Sequence, residues 1–372
     1  MVGVDIGSEK IATLVAKVAA SDAVDDTVNV LGVSEVKSLG IRKGQIVDIK
    51  KAVESITSSL DQAERMAGYS ISRVVASIGG AHIESQNSRG VVAVSAPQGE
   101  ITASDLGRVI DAARAVSLPS TREIIHVLPR NYIVDGQEGI KDPIGMMGVR
   151  LEVDTHIITA NAVSLRNLEK AFSQIGIDVD AVVFSGYASS LAVLTDTEKE
   201  LGVAVADIGA GTTDISVYIE GSVAYSSVLP IGARHITNDL AIGLRISLES
   251  AEKIKLFLSK SIPKQIKIGV VEVDKTPKNT DEIDLGPLGI AEEIHKVSKK
   301  TLVDGIIRPR LNEIFTFVGL EIKRSGFGGQ TPSGLVITGG GARTIAAVED
   351  FLFLVIKSNF LYTPSTSSGS KQ

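Results

Sequence analysis

Apolar runs at Val2–Ile6 and Ile11–Val18 predict two strands joined through Asp5-Ile6-Gly7-Ser8-Glu9-Lys10, with a third strand near Val28–Ser34. Past Asp48, the residues Ile49, Ala52, Val53, Ile56 and Leu60 recur at helical spacing, and Gly68 suits the C-cap. Val74–Ile78 then reads as a buried strand closed by Gly79-Gly80. Between about Ala81 and Thr159 the texture changes to short strands (Gly90–Val94, His126–Ile133, Val149–Ile158) around one helix. That helix has Ser104 as its expected N-cap and Leu106, Val109, Ile110 and Ala113 on one face. Helices are expected at Leu165–Ile175, Ala188–Leu194 and Leu248–Leu258, with Val179–Phe184 crossing between the first two. An apolar strand at Val203–Ala206 ends in Asp207, and Ile215–Ile219 alternates with a period of two. A strand pair near Ile266–Val273, a long helix from Ala291 to Ser325 and a strand at Leu335–Thr338 complete the pattern.

Three of these strands run into glycine-rich connections. The loop Ile208-Gly209-Ala210-Gly211-Thr212-Thr213-Asp214 is suited to hold a phosphate. Gly209 and Gly211 let backbone N–H groups converge on an anion. Thr212 and Thr213 offer hydroxyl donors, and Asp207 and Asp214 suit a hydrated Mg²⁺. The first hairpin repeats the arrangement with Asp5, Gly7, Ser8 and Lys10, which points to two related halves facing one ligand. The third run, Thr338-Gly339-Gly340-Gly341-Ala342, presents backbone free of side chains to a planar or anionic group. In this order the trio resembles the phosphate-1, phosphate-2 and adenosine motifs of the actin, Hsp70 and sugar-kinase superfamily. That resemblance implies an α/β, actin-like two-domain ATPase fold with duplicated mixed sheets. Its implied ligand is ATP with Mg²⁺, the metal held through water by Asp5 and Asp207, and the ribose by Glu252 and Lys255, which lie at i, i+3 on one helix.

Composition narrows the class. The 372 residues suffice for two or more core-bearing domains, and 44% apolar with 22% charged is ordinary for a globular chain. Only 4% are aromatic and none is tryptophan, against a base-stacking nucleic-acid surface, and 38 basic to 44 acidic residues argue against a polyanion partner. Without cysteine there is neither a disulfide framework nor a thiolate metal site, and the five histidines show no metal-ligand spacing. The first strand begins within two residues of Met1 and no apolar run reaches membrane-spanning length, so a cytoplasmic protein is expected.

The middle of the chain makes the resemblance more specific. Val127-Leu128-Pro129, Asn131 through Ile140, and Asp142 through Glu152 resemble the inserted subdomain of the bacterial cell-division family FtsA. Leu194–Val203 resembles that family's approach to the second phosphate loop, Leu229–Ala241 its connecting helix, and Asp304–Ile314 the helix of the lobe that docks FtsZ. The resemblance implies subdomain 1A at 1–80 and 160–200, an inserted 1C at 81–159, 2A at 201–228 and 331–362, 2B at 229–330, and a polar tail at 363–372. It further implies a homopolymer, FtsZ as a partner with Arg310 as a contact, other divisome proteins meeting residues 81–159, and a place on the cytoplasmic face of the membrane at the division septum. A PilM-like assembly adaptor and a sugar or acetate kinase are the alternatives.

Two expectations depart from an ordinary ATPase of this family. The stretch Ser185-Gly186-Tyr187-Ala188-Ser189-Ser190, where relatives carry an amide, acid or imidazole for the attacking water, offers only hydroxyls, and Asp214 is the one acid left for a catalytic role. Binding with weak or no hydrolysis is therefore expected. The polar Thr363–Gln372 cannot form the family's amphipathic membrane helix, its usual closing elements are not recognisable, and Phe351–Ile356 reads as core.

Overall fold

The computed structural model describes residues 1–19, 27–95, 99–259, 281–292, 294–347 and 360–362. The first half opens with the hairpin β1 (Val2–Ile6) and β2 (Lys10–Ala19), followed by β3 (Thr27–Lys37). A two-residue hairpin follows, β4 (Ile41–Arg42) and β5 (Gln45–Ile46), turned through Lys43 and Gly44 at φ 49° and 72°. Helix α1 (Ile49–Ala67) starts where the Asp48 carboxylate accepts the Lys51 N–H and stops at Gly68, whose φ of 73° is the left-handed cap expected there. It buries Ala52, Ile56, Leu60 and Ala63 against the sheet, and β6 (Arg73–Ile78) returns parallel to β1.

The chain then leaves for a four-stranded sheet of β7 (Glu84–Ala93), β8 (Arg122–Val134), β9 (Gln137–Ile140) and β10 (Arg150–Asn161), ordered β7-β10-β8-β9, with α2 (Ala103–Arg114) on one face. All three long strands extend further than the spacing of apolar residues indicates. Thr102, not Ser104, caps α2, in a reciprocal box with Asp105. Strand β10 serves two cores: Leu151 and Val153 pack in this unit, while Ile158 and Ala160 pack with the first half. Helix α3 (Ala162–Ser173), β11 (Asp178–Phe184), α4 (Ser185–Val193) and the short α5 (Asp196–Leu201) complete the first half.

The second half repeats the plan. Its hairpin β12 (Val203–Ile208) and β13 (Thr213–Ile219) leads into β14 (Ser222–Leu229). Helices α6 (Arg234–Leu244) and α7 (Leu248–Ser259), the small pair β15 (Glu282–Asp284) and β16 (Lys296–Ser298), α8 (Lys299–Leu302) and α9 (Arg308–Arg324) precede β17 (Leu335–Thr338) and β18 (Phe360–Tyr362). The two large sheets, β11-β6-β1-β2-β3 and β18-β17-β12-β13-β14, are each an antiparallel meander flanked by parallel strands. That is the duplicated mixed-sheet architecture expected from the paired loops.

The long helix expected over Ala291–Ser325 is broken. β16 occupies Lys296–Ser298, the Ser298 hydroxyl caps α8, and a π-helical turn at Val303–Ile307 joins α8 to α9. The expected strand pair near Ile266–Val273, the run Phe351–Ile356 and the tail Thr363–Gln372 lie outside the described residues.

Candidate functional site: a cleft between two phosphate-loop hairpins

Both hairpin loops and the third glycine run converge where the two sheets face each other. In the first loop the Gly7 N–H donates to the Lys10 carbonyl at 3.1 Å, in the second the Gly209 N–H donates to the Thr212 carbonyl at 2.9 Å, so the turns are closed in the same way. They meet directly. A methyl group on Gly211 would lie 3.1 Å from Ser8 Oγ and 3.2 Å from the Lys43 Cα, and the Gly44 N–H donates to Ser8 Oγ at 2.9 Å. The Lys43-Gly44 turn therefore wedges both loops. The N-terminus of α6 closes the second loop, its Ala233 and Arg234 N–H groups donating to the Gly209 and Ala210 carbonyls at 3.0 and 2.9 Å. Arg234 also faces Glu9 of the first loop across 3.6 Å.

Three carboxylates line this junction, each steadied by a serine. Asp5 is open to the cleft and accepts from Ser77 at 2.5 Å. Asp207 is half-buried and accepts from Ser189; Asp214 is buried and accepts from Ser185 at 2.5 Å. Burial drives the carboxyl pKa values of Asp207 and Asp214 upward, and the neighbouring acids add to the effect. Asp214 Oδ1 is buried with no hydrogen-bond partner, and Gly79 leaves room before it, since a Cβ there would lie 3.3 Å from Asp214 Oδ2. Crowded acids with an unsatisfied oxygen suit a cation. Among the described residues no three acids or histidines converge closely enough to ligate an ion directly. A hydrated Mg²⁺ meeting Asp5 and Asp207 through water would fit this donor set, as Mg²⁺ commonly retains several waters.

The third glycine run lies against the second loop. Gly339 has φ 90°, and a Cβ on it would stand 2.2 Å from Asp207 Oδ1 and 2.6 Å from the Ile208 carbonyl oxygen. A Cβ on Gly341 would stand 2.7 Å from the Ile208 side chain, whereas one on Gly340 would meet nothing within 4 Å and face open space. The helical turn Gly340–Ala347 packs on α7. There Lys255 donates to Glu252 at 2.7 Å and to Thr237 Oγ1 at 3.0 Å, while Thr237 Oγ1 donates to Glu252 at 2.6 Å. The Lys255 side chain is 8% exposed and that of Glu252 32%, so the carboxylate is the member of the triad open to a ligand.

Residues 80–159 match the family model "SHS2 domain inserted in FTSA", and residues 204–348 match "Cell division protein FtsA". Cell division protein FtsA of Pseudomonas aeruginosa is 38% identical over 94% of this chain and 79% of its own length; that of Bacillus subtilis is 37% identical over 92% and 73%. The chain belongs to the FtsA family. Solved structures at far lower identity share its fold: a PilM-PilN type IV pilus biogenesis complex (TM-score 0.64, 13% identity, 97% of this chain and 87% of that one) and MreB5 of Spiroplasma citri bound to ADP (TM-score 0.52, 13% identity, 97% and 91%).

Within this FtsA-family chain the cleft gathers Asp5, Gly7, Ser8, Asp207, Gly209, Gly211, Gly339, Gly340 and Gly341, with Glu252 and Lys255 on the neighbouring helix. Three of the residues singled out in the sequence are committed elsewhere. Lys10 points outward to Glu35 on β3 at 2.8 Å, both side chains exposed. Thr213 is fully buried and its hydroxyl donates to the Ile231 carbonyl at 2.8 Å, because the alternation of β13 turns it into the core and leaves half-buried Thr212 as the loop's hydroxyl. Arg310 grips Asp239 through two bonds of 2.6 and 2.9 Å and also pairs with Glu313. The residues the sequence did not reveal are the serines at 77, 185 and 189, together with Thr237. Ser185 and Ser189 stand one helical turn apart at the start of α4, a spacing visible in the sequence without showing what they touch.

Proposed function

We propose that the cleft binds Mg²⁺-ATP and that the chain is an actin-like cell-division protein that polymerises and links FtsZ filaments to the cytoplasmic face of the membrane at the division septum. The observation that carries this reading is the convergence of both phosphate loops and the Gly339–Gly341 turn on one junction, in a chain of the FtsA family. The N–H groups of the Gly209–Thr212 and Gly7–Ser8 loops would hold the phosphates, and Ser8 and Thr212 would add hydroxyl donors. Asp5 and Asp207 would hold the hydrated Mg²⁺, which when bound neutralises phosphate charge. Glu252, aligned by Lys255 and Thr237, would accept from ribose hydroxyls, and the base would lie over Gly340.

Turnover is expected to be slow. Asp214 is the one acid left in the second loop for a catalytic role, and its carboxylate is shared with Ser185. The lobe bearing α9 would dock FtsZ. Since Arg310 is tied to Asp239 and Glu313, the contact is better sought along the groove of about 320 Å³ between α6 and α9 that it lines with Ile242, Gly243, Ile306 and Pro309. Residues 81–159 would meet other divisome proteins or further copies of the chain. Among the described residues no helix is long and apolar enough to cross a membrane. Pull-down against purified FtsZ with and without ATP tests the assignment; no capture by a chain that binds ATP would refute the linking role.

A further inference from the structure

The inserted unit is covalently part of the first half, yet its strands are bonded to β14 of the second half. The Ser85 hydroxyl of β7 accepts the Ser226 N–H at 3.1 Å and donates to the Ser226 carbonyl at 2.6 Å, closing the free edge of β14. Asn87 donates to the Ala224 carbonyl at 3.1 Å. Its amide oxygen then accepts from His156 Nδ1 at 2.8 Å, which leaves Nε2 to accept from the Ser226 hydroxyl at 3.0 Å. His156 and Ser226 are 1% and 2% exposed, so the inner part of the seam is buried, with Asn87 at its exposed rim, and its donors and acceptors match. Further along, the Ser222 hydroxyl donates to the Arg130 carbonyl at 3.1 Å.

The opposite side of β14 is tied to α9, where Tyr225 and Ser227 both donate to Glu321 Oε1, at 2.5 and 2.7 Å. The strand also reaches the cleft. In the β13–β14 register Ser226 stands opposite Ser216 and Val228 opposite Asp214, and Val228 is buried in the core of the first half. One strand thus touches the inserted unit, the α9 lobe and the backbone partner of a cleft carboxylate. Any rotation that parts the two halves must break the Ser85/Asn87/His156 seam or carry the inserted unit with it.

We propose that β14 is a coupling strap that makes the placement of the inserted unit and the affinity of the cleft for nucleotide depend on each other. The inference rests on the cleft binding nucleotide. Since the seam and the apposed Ser8 and Gly211 loops occur in the same closed arrangement, loosening the seam favours opening and weakens binding.

The test uses the full chain and Mg²⁺-ATP. Asn87→Ala, which removes two bonds of the seam, and the milder Ser226→Ala, which removes one, are compared with the parent and with Ser95→Ala. The last deletes a hydroxyl bond of 2.7 Å to Asp105 within the inserted unit, away from the seam. ATP affinity should fall about fivefold or more in Asn87→Ala, less in Ser226→Ala and not in Ser95→Ala. Because the chain has no cysteine, spin labels at Ser104→Cys on α2 and Thr316→Cys on α9 report the distance between the units. Its distribution should broaden in the two seam variants, and added ATP should narrow it. If the parent binds ATP, but Asn87→Ala and Ser226→Ala match it in affinity and in label distance, the strap is refuted and the cleft stands. A parent that binds no ATP refutes both. Equal weakening in Ser95→Ala refutes the strap by showing a general loss of structure.

Discussion

Replacing Gly339 and Gly340 in turn separates two reasons for a glycine at the cleft. An alanine at position 339 must hold φ near 90°, which costs a residue with a side chain about 1–2 kcal/mol. Its Cβ would also stand 2.2 Å from Asp207 Oδ1 and 2.6 Å from the Ile208 carbonyl oxygen, so the carboxylate and the second loop must shift. With this repacking the total reaches about 3 kcal/mol or more. At roughly 1.3 °C per kcal/mol for a chain of 372 residues, Tm should drop by about 4 °C or more. Displacing Asp207 should also cost a charge-assisted contact of about 1.5–3 kcal/mol, which is about tenfold or more in nucleotide affinity. Gly340 meets nothing within 4 Å and has no left-handed φ. Gly340→Ala should therefore leave Tm within about 1 °C of the parent. Gly340→Val should fold normally and lose nucleotide affinity by filling the space assigned to the base. Thermal unfolding and titration of a fluorescent ATP analogue read both effects. A Gly339→Ala protein with parental Tm and affinity would refute the close packing of the third glycine run on Asp207, and a Gly340→Val protein with parental affinity would refute the placement of the base.

Further outcomes follow from single groups. His156 is held neutral by burial, its pKa lowered from 6.5 to about 3. Protons therefore bind the unfolded chain first, and the stability this group supplies above pH 6.5 is lost as pH falls toward 3. Its share of the loss reaches about 2 kcal/mol at pH 5. Urea unfolding from pH 7.5 to 5 should show that decline, shallower in His156→Asn; identical slopes would contradict it. Glu252→Ala leaves the buried Lys255 ammonium without its counter-charge, so it should destabilise by about 1–3 kcal/mol and weaken ATP binding; unchanged urea midpoint and unchanged affinity together would rule out the triad. Phosphate release by the purified chain should stay below about 1 per second, under the usual enzyme range; faster release would expose an overlooked catalytic group.

The features legible in the sequence are those set by neighbours in the chain. Asp48 and Gly68 bracket α1 because a cap and a left-handed stop act within one turn. The paired loops were visible because an aspartate ending a strand before a glycine turn is local chemistry. The cap of α2 is a near miss: the sequence reading places it at Ser104, whereas Thr102, two residues earlier, stands at the capping-box spacing from Asp105. The serine support of the carboxylates was not legible, since Ser77 reaches Asp5 across 72 residues and Ser185 reaches Asp214 across 29. Nor was the break before α8, because apolar spacing continues through it. The start of α8 is set by Ser298, a local cap on the Thr301 N–H, and by the Asp281 carboxylate, which accepts the Lys300 N–H and so depends on the chain folding back. The outward turn of Lys10 and the inward turn of Thr213 follow from strand register, which pairing across the sheet decides.

Whether Asp5, Asp207 and the glycine loops form one Mg²⁺-dependent ATP site is answered by calorimetric titration of the full chain with ATP, with and without Mg²⁺, beside the variant Asp207→Ala. The parent should show saturable one-to-one binding that weakens sharply without Mg²⁺ and falls at least about tenfold in the variant, while thermal unfolding shows the variant folded. Binding by a folded Asp207→Ala protein with the affinity and Mg²⁺ dependence of the parent, or no binding by the parent at all, would contradict it.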